Sequence, residues 1–178
     1  ANQIARQIAC NQAAADAICF GEITSDQACV GNSYDATISI TGVPVVQLVG
    51  GSLPDGVEIV SQSPFSITFS GSPNTAGVFT FTLQGDNSSG AAQKSFTITV
   101  SQIDNAATLP DAQQGVAYSE QLTVTGATGT VIWTLVSGDL PTGLTLGTDG
   151  EISGTPTDTT QFTYGFTVQA TDGTMNCL

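Results

Sequence analysis

The sequence contains no histidine and very few basic residues. Of its 178 residues only Arg6 and Lys94 are basic, against 15 acidic residues, and the formal net charge is −13. Without histidine, the Ser-His-Asp and Cys-His arrangements of nucleophilic enzymes are impossible. Binding of nucleic acid or of anionic lipid needs clustered Lys and Arg. The composition therefore favours a non-enzymatic protein that binds neither nucleic acid nor a membrane surface.

Long apolar runs and nucleotide-binding motifs are missing as well. No apolar stretch approaches the roughly 18 residues that span a bilayer, so we expect no membrane insertion. There is no signal-peptide pattern and no Gly-rich phosphate-binding motif. Charged residues make up only 10% of the chain, so uncharged polar residues must form much of the surface. Such residues favour strands and turns.

Residues 1–30 differ in composition from the rest of the chain. They are rich in Ala and other good helix formers, which predicts an N-terminal helical segment. Five positions follow a 4-3-4-3 spacing typical of a heptad seam: Ile4, Ile8, Asn11, Ala15 and Ile18. This helix would either pack on the first globular module or form an oligomer, with Asn11 fixing the register.

The four cysteines are all disulfide candidates: Cys10, Cys19, Cys29 and Cys177. Their even number favours an oxidising, extracellular compartment, and with no His and no CxxC pair a zinc site is not expected. On a continuous helix Cys10 and Cys19 would lie about 13 Å apart, too far to bond. We therefore expect Cys29 to fold back onto one of them, with Gly21 ending the helix.

After Gly31 the sequence alternates apolar and polar residues in short runs, as in Tyr34–Gly42, Phe65–Phe69 and Phe96–Val100. Turn-forming residues separate the runs. One such turn, Asn87-Ser88-Ser89, is also a formal glycosylation sequon. Short strands at this spacing predict an all-β sandwich.

The chain carries an internal repeat, which predicts two copies of one module. The matched segments keep their order, with offsets that differ by only a few residues: Tyr34…Gly42 with Tyr118…Gly126, Leu53–Val57 with Leu140–Leu144, Gly71–Pro73 with Gly154–Pro156, and Phe81–Gln84 with Phe166–Gln169. Trp133 takes the position of Val46 and is expected to fill the second core. The three tyrosines, Tyr34, Tyr118 and Tyr164, are expected to be core or strand residues.

The second copy resembles a known family of repeats. Leu140–Leu146, Asp149–Pro156 and Phe166–Asp172 closely resemble the "putative immunoglobulin" repeat of bacterial surface proteins and phage structural proteins. The resemblance implies an immunoglobulin-like (cadherin-like) sandwich used for extracellular display, adhesion or spacing, and it brings no catalytic residues. The first copy departs from the pattern, because Ser61–Pro64 replaces the Asp-Gly turn.

The predicted organisation is mainly β. It has a helical segment (1–30), a first sandwich (31–103), a linker (104–117) and a second sandwich (118–178). The first copy ends with the strand Lys94–Val100, for which the second copy has no counterpart, so we expect its closing strand to be absent. Either the sequence is a piece of a longer protein, or another subunit donates the strand.

Calcium is the only cofactor that the residues suggest. Asp104 and Asn105 lie at the junction between the copies, and Asp111 and Asp172 are further candidates. Cadherin-like proteins rigidify such junctions with calcium, but single Asp and Asn residues are also common turn formers.

Two functions from different classes remain open. The first is a structural or assembly module of an extracellular or virion surface appendage, such as a filament, tail fibre or capsid decoration. In that role the protein would form a homo-oligomer or join a larger assembly. The second is an adhesin that binds a glycan, protein or host-surface receptor through its sandwich loops. A spacer module within a larger secreted protein is a further alternative.

Overall fold

The structure, a computed structural model, describes residues 16–157 and 163–178. These residues form strands, turns and loops, and no helix. The chain divides into two compact units, of which the first ends at Val100 and the second begins at Ser101. The strands are β1 (Cys19–Ile23), β2 (Gln27–Cys29), β3 (Tyr34–Thr41), β4 (Val45–Gly51), β5 (Val57–Ser63), β6 (Ser66–Gly71), β7 (Gly77–Asn87), β8 (Gly90–Ile103), β9 (Tyr118–Gln121), β10 (Val124–Thr125), β11 (Ile132–Gly138), β12 (Leu144–Leu146), β13 (Glu151–Gly154), β14 (Phe166–Thr171) and β15 (Asn176–Cys177).

The first unit is a sandwich of two antiparallel sheets. One has the strand order β1-β3-β6-β5, and the other has the order β8-β7-β4 with β2 also paired to β8. The predicted alternation holds in β3, where Tyr34, Ala36, Ile38 and Ile40 are buried. Inward-facing residues of both sheets meet in one core, so the period-2 pattern decides which face of each strand is buried.

Aromatic rings fill the centre of the first core. The Phe81 and Phe96 rings stack with centroids 5.6 Å apart, and Phe69 tilts against Phe81 at 5.4 Å. Such offset ring pairs add to the stability gained by burying the ring area. Phe81 lies on β7 and Phe96 faces it on β8, so the central ring contact depends on the pairing of these two long strands.

The predicted N-terminal helix is wrong for the described part of residues 1–30. From Cys19 the chain forms β1, which pairs with β3 and places Phe20 opposite Ile40. Gly21 lies inside β1 and ends no helix; a β carbon there would collide with the Ser39 hydroxyl. Pairing with the β3 edge and burial of Phe20 outweigh local helix propensity, which is a weak preference. Most of the predicted seam, residues 4–15, lies outside the described residues.

The second unit repeats the two-sheet plan with shorter strands. One sheet has the order β12-β13-β9 and the other the order β11-β14-β15. The last residues of β8, Gln102 and Ile103, pair with β10. Trp133 is 3% exposed and packs in this unit as predicted, on a strand that places it opposite Ala170.

The position of the expected missing strand is partly occupied. After β14 the chain turns, and β15 pairs Asn176 with Thr171 and Cys177 with Ala170. In the first unit the equivalent hairpin continues for eleven paired positions, from Asn87↔Gly90 to Gly77↔Val100. In the second unit, the described residues after β14 pair with it at these two positions.

Candidate functional site

The repeat extends to individual backbone hydrogen bonds. In the Leu-Pro-x-Gly turns, the Val57 N–H donates to the Pro54 carbonyl at 3.0 Å and the Leu144 N–H to the Pro141 carbonyl at 2.9 Å. The glycine inside each turn has a positive φ, 88° at Gly56 and 96° in the second copy. Since L-residues rarely adopt this conformation, the turn motif is a structural requirement and carries no chemistry.

The Gly-x-Pro motif also has a structural role in both copies. Gly71 pairs with Tyr34 in the first unit, and Gly154 pairs with Tyr118 in the second. A β carbon on either glycine would collide with the backbone of the neighbouring turn. Only glycine permits this close approach, so the motifs that identify the repeat are accounted for by packing.

The paired tyrosines act as internal braces. The Tyr34 hydroxyl donates to the Ser25 carbonyl at 2.6 Å, and the Tyr118 hydroxyl donates to the Pro110 carbonyl at 3.2 Å. Burial raises the pKa of both phenols, and for Tyr34 the charge of Asp26 raises it further. Both hydroxyls are bonded to the backbone, and both tyrosines lie in strands, as the sequence predicts.

The two calcium candidates at the junction, Asp104 and Asn105, form hydrogen bonds with the chain itself. The Asn105 side chain accepts a hydrogen bond from the Thr123 N–H at 2.8 Å and donates to the Gln121 carbonyl at 3.0 Å. Asp104 accepts a bond from the Thr125 hydroxyl at 3.1 Å. These contacts fix residues 104–105 beside β10, within the second unit.

Asp172 is the most highly coordinated carboxylate in the described structure. One oxygen accepts bonds from the Thr128 N–H (2.8 Å), the Thr128 hydroxyl (3.2 Å) and the Gly129 N–H (3.2 Å). The other accepts from the Thr174 N–H (3.0 Å), the Thr174 hydroxyl (2.9 Å) and the Met175 N–H (2.8 Å). These donors, the Met175 N–H above all, hold the pKa of Asp172 well below its usual range. A carboxylate surrounded by N–H and O–H donors is built as a loop brace.

The fourth calcium candidate, Asp111, is exposed. Among the described residues, no group of three or more His, Cys, Asp or Glu side chains is placed to hold a metal ion. The four candidates are therefore not brought together into one site.

Asn87, the sequon residue, ties two neighbouring segments together. Its Nδ2 donates to the carbonyls of Asp16 and Gly42, both at 2.7 Å, and its Oδ1 accepts from the Ser89 N–H at 2.8 Å. Both amide hydrogens are thus engaged in the folded state. The adjoining cavity measures about 130 Å³, smaller than the roughly 300 Å³ at which organic-ligand pockets begin.

Lys94 is the single lysine of the chain and acts within the first unit. Its Nζ donates to the Gly21 carbonyl at 2.8 Å and to the Glu22 carboxylate at 2.7 Å, and it lies 5.0 Å from the centroid of the Phe96 ring. The lysine therefore joins β8 to β1, which lie in different sheets. No sequence pattern signalled this role.

The cysteines of the described residues are oxidised. Cys19, Cys29 and Cys177 are each disulfide-bonded, while Cys10 lies outside the described residues. The predicted pairing of Cys29 with Cys10 or Cys19 stays a prediction. Its premise, a helix running through Cys19, does not hold, because Cys19 lies in β1.

The strands β4 and β11 each present an exposed Leu-Val pair, and we call these two strands the apolar edges. Each of them is an edge strand of its sheet. Leu48 and Val49 are 43% and 46% exposed on β4, and Leu135 and Val136 are 41% and 52% exposed on β11. Each strand also has a bulge at this point, and bulges weaken an edge as a template for further pairing.

Two-sheet sandwiches with matched turns and matched strand register define the molecule as a tandem immunoglobulin-like protein. A family model agrees with this description. The model described as "Putative Ig domain" (He_PIG) matches residues 22–101 and 102–176. The chain belongs to this family, and both matches together cover most of it.

The solved structures that match this chain have low sequence identity to it. An endo-fucoidan hydrolase, MfFcnA4, of glycoside hydrolase family 107 is 20% identical over 88% of this chain and 27% of its own, with a TM-score of 0.38. The titin domains Z1Z2 in complex with telethonin are 18% identical over 93% and 94%, with a TM-score of 0.39. An I-band fragment of titin is 12% identical over 90% and 62%, with a TM-score of 0.44. The chain spans about a quarter of the hydrolase chain. No curated protein matches the sequence.

Proposed function

We propose that the protein is a non-enzymatic structural module of an extracellular or virion surface appendage and assembles with copies of itself or with other subunits. The observation that carries this proposal is the duplication of one sandwich, with matched hydrogen bonds in the turns of both copies. The motif residues of both copies serve turns and close backbone contacts. A duplicated scaffold of this kind suits extension and spacing.

The oxidised cysteines support a place outside the cell. The described cysteines are disulfide-bonded, which is typical of oxidising compartments. The net charge of −13 keeps a protein soluble by mutual repulsion. No described helix has the length and apolar character needed to cross a membrane.

The apolar edges supply a surface for assembly in both units. Exposed Leu and Val side chains recur at matched positions of the two units, and this recurrence supports a contact surface there. We expect the purified protein to form oligomers above its monomer mass of 18.1 kDa, measured by size-exclusion chromatography with light scattering across a range of concentrations. A monomer at every concentration would refute self-assembly.

Adhesion through a sandwich loop is the second candidate, favoured by one observation. Phe65, at the turn between β5 and β6, is 66% exposed. An aromatic side chain at a loop tip is a common anchor in recognition of proteins and glycans. A glycan array and a Phe65→Ser variant separate this function from assembly: binding that the substitution abolishes, with the oligomeric state unchanged, would favour adhesion.

A further inference from the structure

The two edge strands β4 and β5 lie side by side along one margin of the first unit. They belong to different sheets, and each is an edge strand of its sheet. The Gln62 Nε2 of β5 donates to the Val46 carbonyl of β4 at 3.2 Å. Because the short connection 52–56 also joins the two strands, they run antiparallel, and this bond places Leu48 level with Val60.

A bulge on each of these strands turns a valine outward. The extra residue of the bulge is Val49 on β4 and Val60 on β5. Bulges re-aim side chains and disrupt the hydrogen-bond ladder. As a result, both members of the neighbouring pairs Leu48-Val49 and Ile59-Val60 are exposed, although strict alternation would point one member of each pair inward.

The exposed apolar residues of these two strands form one patch, which we call the rim: Val45, Leu48, Val49, Ile59 and Val60. Together they expose roughly 400 Å², and the largest apolar patch on a typical monomer, about 300–600 Å², is often functional. In the second unit the apolar edge β11 has no such neighbour, because Leu144 of β12 is buried and Leu146 is half-buried. The rim is therefore a property of the first unit and does not follow from the repeat.

The rim is an uncharged surface on a strongly acidic protein. The net charge is −13, but β4 has no charged residue and β5 has one, Glu58, beside the connecting turn. Two copies of such a chain repel each other wherever their carboxylates approach. Contact between two rims avoids most of this repulsion, whereas an uncharged surface gives a basic partner nothing to recognise.

We propose that two copies of this chain associate through the rim, in a two-fold dimer in which β4 of each copy packs on β5 of the other. The rim is self-complementary, because each copy supplies one Leu-Val pair and one Ile-Val pair, as two-fold symmetry requires. Side chains form the contact, since the bulges disfavour extension of either sheet across the dimer. This inference rests on the proposed function and names its joining surface.

The size of the rim sets the strength of the dimer. Two facing rims and the polar side chains around them bury about 1,000 Å², which is near the lower limit for a specific interface. We therefore expect a dissociation constant in the micromolar range. Added salt should strengthen the dimer several-fold, because it screens the repulsion between the two acidic copies.

Hydroxyl-radical footprinting of the native protein, combined with light scattering, tests the rim directly. Footprinting measures the solvent access of individual side chains, and light scattering measures the mass at the same concentrations, from about 1 to about 500 µM. We expect protection of the rim to rise with the fraction of dimer. Val78 is 70% exposed on β7, outside the rim, and should stay accessible at every concentration.

Three variants supply a second measurement. Val60→Asp places two carboxylates in a symmetric contact and should raise the dissociation constant at least about tenfold. Leu48→Ser adds no charge and should raise it about fivefold through lost apolar contact. The matched control Val78→Asp adds the same charge to another exposed valine of the same unit and should change it less than about twofold.

The outcomes separate the rim from the proposed function. A rim that stays accessible while the protein dimerises, or a dimer that Val60→Asp and Leu48→Ser leave intact, overturns this inference and leaves the proposed function standing. Protection of the rim in the monomer also overturns it, because another part of the same chain would then cover the rim. A monomer with an accessible rim at every concentration overturns both the rim dimer and self-assembly, and would leave the rim to a different protein.

Discussion

Replacing Asp172 by asparagine is expected to destabilise the second unit more than any other single change of charge. The aspartate accepts six hydrogen bonds, three at each oxygen, from Thr128, Gly129, Thr174 and Met175. Asparagine keeps one acceptor oxygen and turns an NH₂ group toward the donors on the other side. The three hydrogen bonds at one carboxylate oxygen are therefore lost, and their N–H and O–H donors then face the NH₂ group, which is also a donor.

The magnitude follows from the number and kind of bonds. Bonds to a charged acceptor contribute about 1.5–3 kcal/mol each when buried, and neutral ones about 1 kcal/mol. Asp172 is partly accessible to water, so the three lost bonds together should cost about 2 kcal/mol. For a domain of fewer than about 100 residues this lowers the melting temperature by roughly 10 °C. The intrinsic fluorescence of Trp133 follows the transition.

The pH dependence provides a second readout. The pKa of Asp172 is lower in the folded than in the unfolded protein, so its stabilisation is complete above its unfolded pKa of about 3.9. It is lost as the pH falls toward the folded pKa. The stability difference between the native protein and Asp172→Asn should therefore be constant near neutrality and shrink below about pH 4.

The matched control is Asp111→Asn, which removes the same charge from an exposed residue whose side chain forms no hydrogen bond or ion pair with a described residue. It should melt within about 1 °C of the native protein, in line with surface substitutions generally. Equal melting temperatures for the two variants would refute the bracing role of Asp172.

Four other substitutions probe three separate features. Lys94→Met should lower the free energy of unfolding of the first unit by about 1–2 kcal/mol, measured by hydrogen exchange in urea. Glu22→Gln should lower it by less than about 0.5 kcal/mol, because the bonds of Lys94 to the β1 backbone remain. Equal losses for the two variants would contradict this role of Lys94. Gly150→Ala should destabilise the second unit by about 2–3 kcal/mol. The φ of Gly150 is +90°, which strains an alanine, and a β carbon there would collide with the Trp133 indole. If the midpoint of urea unfolding, followed by Trp133 fluorescence, does not change, this strain is refuted. Val43→Asn should stabilise the first unit by about 1 kcal/mol, because Val43 has a φ of +49° and is exposed; calorimetry that showed a loss would refute this.

The sequence was sufficient to predict the β class, the duplication and much of the core. Tyr34–Gly42 alternates over a whole strand, and glycine and proline mark its neighbouring turns, so local residues determine the structure there. The matched pairs Tyr34↔Gly71 and Tyr118↔Gly154 show why the repeat was visible: each motif residue has a backbone constraint that few other residues satisfy.

Residues 16–30 were predicted wrongly because their structure depends on distant partners. Cys19–Ile23 shows no strong alternation of apolar and polar residues. It is a strand because it pairs with β3, and Lys94 of β8 donates a hydrogen bond to its Gly21 carbonyl. The role of the calcium candidates depends on distant residues as well, and the calcium site stays a prediction. Asp and Asn serve as ligands or as loop braces, and only the positions of the surrounding N–H groups decide between these roles.

The bonds of Asn87 have a consequence for recombinant production. A host that attaches glycans to Asn-x-Ser sequons modifies the same Nδ2 that holds the Asp16 and Gly42 carbonyls. A sugar added before folding would leave one hydrogen on that nitrogen for two carbonyls and would place a bulky group at the β7–β8 turn. Protein made in a host that glycosylates Asn87 would therefore differ from protein made in a bacterium. The Asn87→Gln variant, which cannot be glycosylated there, is expected to be less stable than the native protein. Comparisons of assembly between hosts should control for this residue.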